Sequence, residues 1–268
     1  MTVLAVSPHL DDAAFSAGGT LHALARAGHA VVVATVFTRS VAGPTGFALR
    51  CQTDKGVPPD ADYLAVRRAE DAAASARLGA EPVWLDLPEA PHRGYTSPEA
   101  LFAGIHAGDA RTWHDVLGAL RTLAGVRRPG LVLSCAGLGG HVDHLHTARA
   151  VAVLAEESGV PAAWWRDAPY AFRQPEAPPA QGLPCSLAAV PLAAADLAAR
   201  LDACAAYATQ LPYQFGRDRP DASPEAAMRD AVARFARAEG AVLGGPAERF
   251  FADAPARHVL RFHAAALP

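Results

Sequence analysis

Two short runs, Val3–Val6 and Val31–Phe37, are apolar almost without interruption. A strand that is dry on one face alternates apolar with polar residues, whereas continuous runs of this length belong to strands covered on both faces. "PVWLDL" from Pro82 and "LVLSC" from Leu131 repeat the pattern. Helix-like segments lie between and after these runs: Asp11–Ala27 before Gly28, Asp62–Leu78 before Gly79, Thr112–Leu123, and His141–Ser158 before Gly159 and Pro161. In the segment from Asp62 the pattern assigns Leu64, Ala65, Ala69, Ala72 and Ala76 to the inner face, with Arg67, Arg68, Glu70 and Asp71 outside. The alternation predicts an α/β fold, a Rossmann-like doubly wound and mostly parallel sheet with helices on both faces. In such folds ligands sit beyond the carboxyl ends of the strands.

Two stretches break the alternation. Arg39–Pro59, rich in Gly, Pro and Thr, and Pro88–Gly108, rich in Pro and Gly, are too long for ordinary connections, and the first is expected to border the site. No repeat and no domain-separating linker is present, so the expectation is a single domain with a core of about residues 1–165 and a C-terminal extension of about 166–268. In the extension, Pro169–Pro191 reads as irregular, Ala193–Ala208 and Ser223–Gly240 as alanine-rich helices, and His258–Phe262 as a closing strand.

Charge narrows the partners. A formal charge of −3 on 268 residues offers no basic field for nucleic acid or an anionic membrane, which leaves a small-molecule substrate. No apolar stretch of about 18 residues is available to span a bilayer. Cys51, Cys135, Cys185 and Cys204 form no CxxC pair and no basic leader precedes the first strand, so the expectation is reduced thiols in a cytoplasmic protein. Lys55 is the only lysine.

Chemistry concentrates at two strand exits. "SPHLDD" puts His9, Asp11 and Asp12 just past the first strand, and "HVDH" puts His141, Asp143 and His144 just past the fourth. A lone aspartate there is commonly a helix cap, but two His/Asp clusters at equivalent exits converge where a doubly wound sheet reverses its strand order. Imidazole and carboxylate suit a hydrolytic zinc ion, which takes three protein ligands and keeps one position for water. His9, Asp12 and His144 are the expected ligands. Asp11 is placed to take a proton from water, His141 to steady an oxyanion, and Asp143 to support catalysis by orienting an imidazole. The protonating acid for a leaving amine is either Asp11 or His141. A GxSxG elbow is absent, and a receiver-domain reading of the acidic pair lacks its lysine.

With "GG" at Gly18–Gly19 and "RRAED" at Arg67–Asp71, these motifs resemble the PIG-L/LmbE-like zinc deacetylases, whose signatures are A-H-P-D-D-E and H-P-D-H. The resemblance spans residues 3 to about 158. It implies a Rossmann-like sheet, Zn2+ or another divalent ion such as Fe2+ on His9, Asp12 and His144, Asp11 as base, His141 as transition-state stabiliser, and removal of an N-acetyl group from an amino sugar. The alanine-rich, arginine-for-lysine composition points to a specialised pathway, so the expected substrate is an N-acetylamino sugar on an antibiotic or thiol precursor. Leu10, Ala13 and Val142 replace the family's proline, glutamate and second proline. A thiol-conjugate amidase would use the same site, and a sugar-binding module the same fold. For substrate contact the expectation is Arg67, Arg39 and Asp86 on the catalytic edge and Tyr170 in the later loop.

Overall fold

The computed structural model describes residues 1–216 and 221–264, with side chains to Arg261. Five strands, β1 (Thr2–Ser7), β2 (Ala30–Phe37), β3 (Glu81–Leu87), β4 (Leu131–Cys135) and β5 (Ala162–Trp165), run parallel. β6 (Leu187–Pro191) and β7 (Ala247–Ala252) complete the order β3-β2-β1-β4-β5-β7-β6, with β7 antiparallel to both of its neighbours. Strand order reverses between β1 and β4, the place where such sheets open a crevice. The helices are α1 (Asp12–Arg26), α2 (Gly46–Thr53), α3 (Tyr63–Leu78), α4 (Thr112–Arg127), α5 (Val142–Ser158), α6 (Tyr170–Arg173), α7 (Ala194–Ala205), α8 (Leu211–Phe215), α9 (Pro224–Glu239) and α10 (Ala254–Ala264). α1, α3 and α7 pack together on one layer, α4 and α5 on the other. Among the described residues no helix is long and apolar enough to cross a membrane.

Several details depart from the sequence expectation. α3 buries Leu64, Arg67, Asp71, Ala74 and Leu78, while Ala65, Ala69 and Ala76 are exposed. Alanine carries too little apolar surface to set a face, and the two charged residues turn inward because each has buried partners. Trp84 Nε1 and the Tyr207 hydroxyl donate to Asp71, 2.9 and 2.8 Å away, so Arg67 and Asp71 are not the surface pair their spacing suggested. Arg39–Pro59 contains α2, and Pro169–Pro191 contains α6 and β6. His258–Phe262 lies in α10 rather than in a strand, since Ala256 and Leu260, both buried, stand one helical turn apart. The closing strand is instead β7, which Glu248 and Arg249 disguised.

Glu248 is the extension's hold on the core. Buried at 2% exposure, it accepts the N–H groups of Gly19 (2.9 Å) and Thr20 (2.7 Å) and pairs with Arg200 at 3.1 Å. A Cβ on Gly19 would meet Leu192 Cδ1 at 2.7 Å, so any larger residue there would have to displace the Leu192 side chain. Breaking a buried pair from one side strands the other charge. Glu248→Ala is therefore expected to cost about 3–5 kcal/mol, read as a lowered midpoint in urea; an unchanged midpoint would show that this contact does not hold the extension.

Candidate metal centre

Ser7 ends β1 and organises the turn that follows: its hydroxyl donates to His9 O (2.7 Å) and accepts from Ala13 N–H (3.1 Å). His9 N–H then donates to Asp12 Oδ2 at 2.9 Å. On β4 the exit is made by Gly137, Gly139 and Gly140, all at positive φ. At Gly139 a Cβ would strike the Tyr170 ring at 2.7 Å, so any side chain there displaces Tyr170 from the cleft. His141 caps α5, its Nδ1 accepting Asp143 N–H at 3.2 Å.

These exits meet. Asp12 Oδ2 lies 3.3 Å from both His9 Nδ1 and His144 Nε2, and the three residues place their donor atoms within 4.8 Å of one another. Each imidazole gives its remaining ring nitrogen to a carboxylate: His9 Nε2–H to Asp143 Oδ2 at 3.0 Å and His144 Nδ1–H to Asp167 Oδ1 at 2.7 Å. That arrangement fixes the ring orientation and tautomer a metal-binding histidine needs. Burial alone would lower both imidazoles, but the facing carboxylates outweigh it, raising His9 to about 9 and His144 well above the usual range. Asp12 is held well below the carboxylate range: burial opposes this, and His144 and His9 overcome it. The cluster thus demands positive charge at its centre, and its donor set fits a divalent metal ion.

Two other groupings come within ligand reach. His9, His141 and Asp143 form one, but Asp143 already accepts from Arg93 Nη2 (2.6 Å) and Ala90 N–H (3.1 Å), and the adjacent guanidinium repels a second cation. Cys135, His144 and Asp167 form the other, but Asp167 accepts the N–H groups of Ala136 and Leu138, and burial pushes the Cys135 thiol well up. Neither competes with His9, Asp12 and His144.

Behind His9 the contacts continue inward. Arg93, bound to Asp143, also forks onto Asp109 (2.8 and 3.1 Å), which further accepts Tyr95 Oη–H (2.9 Å), Thr112 Oγ1–H (2.6 Å) and His146 Nε2–H (2.9 Å). Asp143 is fully buried and bonded to His9, Arg93 and Ala90 N–H, so it stands behind the His9 ring. Sequence reasoning missed Arg93 and Asp109 as supports. Each stands alone in an irregular segment without a period or motif.

The cleft is lined by His9, Asp11, Asp12, Arg67, His141 and Tyr170, with Phe47, Cys51 and Lys55 from the Arg39–Pro59 excursion. Burial raises Asp11 to about 7, against the pull of Arg67, whose Nη2 is 3.4 Å from Oδ1. Gln214 Nε2–H donates to Asp11 Oδ2 at 3.0 Å. Arg67 also bonds Glu89 (2.9 Å) and Leu10 O (2.8 Å), so it is committed to the wall beside Asp11. Burial drives His141 down to about 3, keeping it neutral, and its rings neighbours are His9, His144 and Phe102. Tyr170 stands edge-on to His144, its ring 5.6 Å away. Arg39 and Asp86 do not reach this cleft: they pair with each other at 3.3 Å in a separate surface depression, half and 72% exposed respectively.

The family model of GlcNAc-PI de-N-acetylase, PIG-L, matches residues 4–155. The chain belongs to the PIG-L family. It is 33% identical over 200 residues to 2'-N-acetylparomamine deacetylase of Streptomyces fradiae, a match covering 72% of this chain and 66% of that one. Among solved structures, a teicoplanin deacetylase in a zinc-inhibited form is 28% identical, with a TM-score of 0.78 over 94% of this chain and 97% of its own. The A40926 pseudoaglycone deacetylase is 31% identical, with a TM-score of 0.76 over 93% and 96%.

The second carboxylates give this PIG-L site a direct test. Asp143→Asn and Asp167→Asn are each expected to weaken binding of a divalent metal by about 10–100-fold, measured by chelator competition on folded protein. Wild-type affinity in both variants would contradict the ligand assignment.

Proposed function

We propose that this chain is a metal-dependent N-deacetylase that hydrolyses the N-acyl group of an amino-sugar unit in a specialised small molecule, with zinc as the resident ion. The observation that carries the reading is Asp11, a buried carboxylate raised to about 7, sharing one cleft with His9 and Asp12, which His144 meets at 3.3 Å from Asp12 Oδ2. The amino-sugar substrate is argued from the relatives, named as deacetylases of 2'-N-acetylparomamine, of teicoplanin and of the A40926 pseudoaglycone.

His9, Asp12 and His144 would hold a divalent ion, which would supply Lewis acidity to the amide carbonyl and to water. The protein's own groups do the rest. Asp11, held by Gln214 and Arg67, takes a proton from the attacking water. His141 accepts Asp143 N–H at Nδ1, so its ring proton sits on Nε2, and that N–H steadies the oxygen that becomes negative as the carbonyl is attacked. Because His141 is held neutral, the leaving amine receives its proton from Asp11, which carries the one it has just taken. Tyr170 and Phe102, with rings 5.9 Å apart, wall the cleft beside His141 and His144. Asp143 and Arg67 act as positioning residues for His9 and Asp11, and Arg39 and Asp86 take no part.

Amine release from N-acetylglucosamine derivatives tests this. Asp11→Asn and His144→Ala are expected to lose at least about 10³-fold in turnover, and His141→Ala about 10²–10³-fold, the usual cost of one oxyanion donor. The active base is the carboxylate form, so the rate rises with pH through the Asp11 titration. A divalent cation beside that carboxyl lowers it from about 7, which puts the acid limb of the loaded enzyme below neutrality. Undiminished turnover after metal removal would overturn the reading.

A further inference from the structure

α8 lies outside the matched residues 4–155, yet it supplies Tyr213 and Gln214 to the cleft. Gln214 is bound to Asp11 through Nε2–H, while its Oε1 is buried and has no hydrogen-bond partner among the described residues. The amide cannot relieve this by turning over, because Oε1 would then face the Asp11 carboxylate, acceptor against acceptor. A buried acceptor left unpaired is costly, and at the wall of a cleft it is accounted for by a ligand that brings a donor.

The chain's only lysine stands nearby. Lys55 lines the same cleft, its Nζ 5.2 Å from the Tyr63 ring centroid and 5.3 Å from that of Tyr213, and it forms no ion pair with a carboxylate among the described residues. Lys55 can only donate and Gln214 Oε1 can only accept. A carboxylate or phosphate would satisfy Lys55 but face the lone pairs of Oε1 and the charge of Asp11; an ammonium would satisfy Oε1 but be repelled by Lys55. Hydroxyl groups both donate and accept, so they complement the two together.

We propose that Lys55 and Gln214 form a hydroxyl-binding subsite beside Asp11 that receives ring hydroxyls of the substrate next to the scissile amide. This rests on the deacetylase reading of the adjoining metal centre. It assigns selection of the sugar to α8 and the Arg39–Pro59 excursion rather than to the two motifs. A site built to bond a hydroxyl discriminates strongly against the analogue lacking it.

The probes are methyl N-acetylglucosaminide and its monodeoxy analogues, assayed for amine release with the full, metal-loaded chain. Wild type is expected to show a KM at least about tenfold lower for the parent sugar than for one deoxy analogue. Gln214→Leu should slow turnover on every sugar, because Asp11 loses a contact, and should also shrink that preference to about twofold or less. Lys55→Met should shrink it likewise, which keeps the test open if one variant fails to fold. No preference in wild type, or a preference preserved in both folded variants, overturns the subsite. If wild type releases no amine from any of these sugars, the deacetylase reading fails by itself. The subsite is then read from calorimetric affinities for the same sugars, where equal binding of parent and deoxy forms overturns it.

Discussion

His9 and His144 each have a carboxylate at the back of the imidazole, and most of the molecule's unusual features follow from that arrangement. His9 leans on Asp143 and His144 on Asp167, so both rings present a defined nitrogen to Asp12. Buried carboxylates need partners of their own. Asp143 finds Arg93 and Ala90 N–H; Asp167 finds the N–H groups of Ala136 and Leu138, which pins the glycine-rich exit of β4. The long segment after β3 is therefore far from slack: Arg93 crosses it to reach Asp109, and Tyr95, Thr112 and His146 close around that carboxylate.

Asp11 and Asp12 are adjacent in sequence but occupy different electrostatic settings. Asp12 faces two imidazoles and is held ionised, while Asp11 is raised by burial and only partly offset by Arg67. One turn of chain thus carries two carboxylates held in opposite senses. The separation is made by what surrounds them: α3 contributes Arg67 and α8 contributes Gln214. The C-terminal extension is consequently part of the site, since Asp167, Tyr170 and Gln214 all come from it, and Glu248 ties it to α1.

What could be read in the sequence was whatever is encoded locally. Continuous apolar runs announced strands covered on both faces, and His9, Asp11, Asp12, His141, Asp143 and His144 announced themselves as paired clusters at strand exits. Arg67 was noticed but for another purpose, as a substrate contact, because its spacing to Asp71 gave no hint of Asp11 or Glu89. Arg39 and Asp86 sit on the expected edge of the sheet, yet they pair with each other, since a position at a strand end does not fix the direction of a side chain. Arg93 and Gln214 left no local signal, because their partners lie 50 and 203 residues away.

By itself the sequence determined the type of fold and the residue types gathered at β1 and β4, because apolar periodicity and motif spacing act over one or two turns of chain. The tertiary structure alone decided which ring nitrogen faces inward, which aspartate is ionised and which is raised, and which distant residues close the cleft. Those properties depend on burial and on through-space contacts, and both come into being only when segments remote in sequence are packed together.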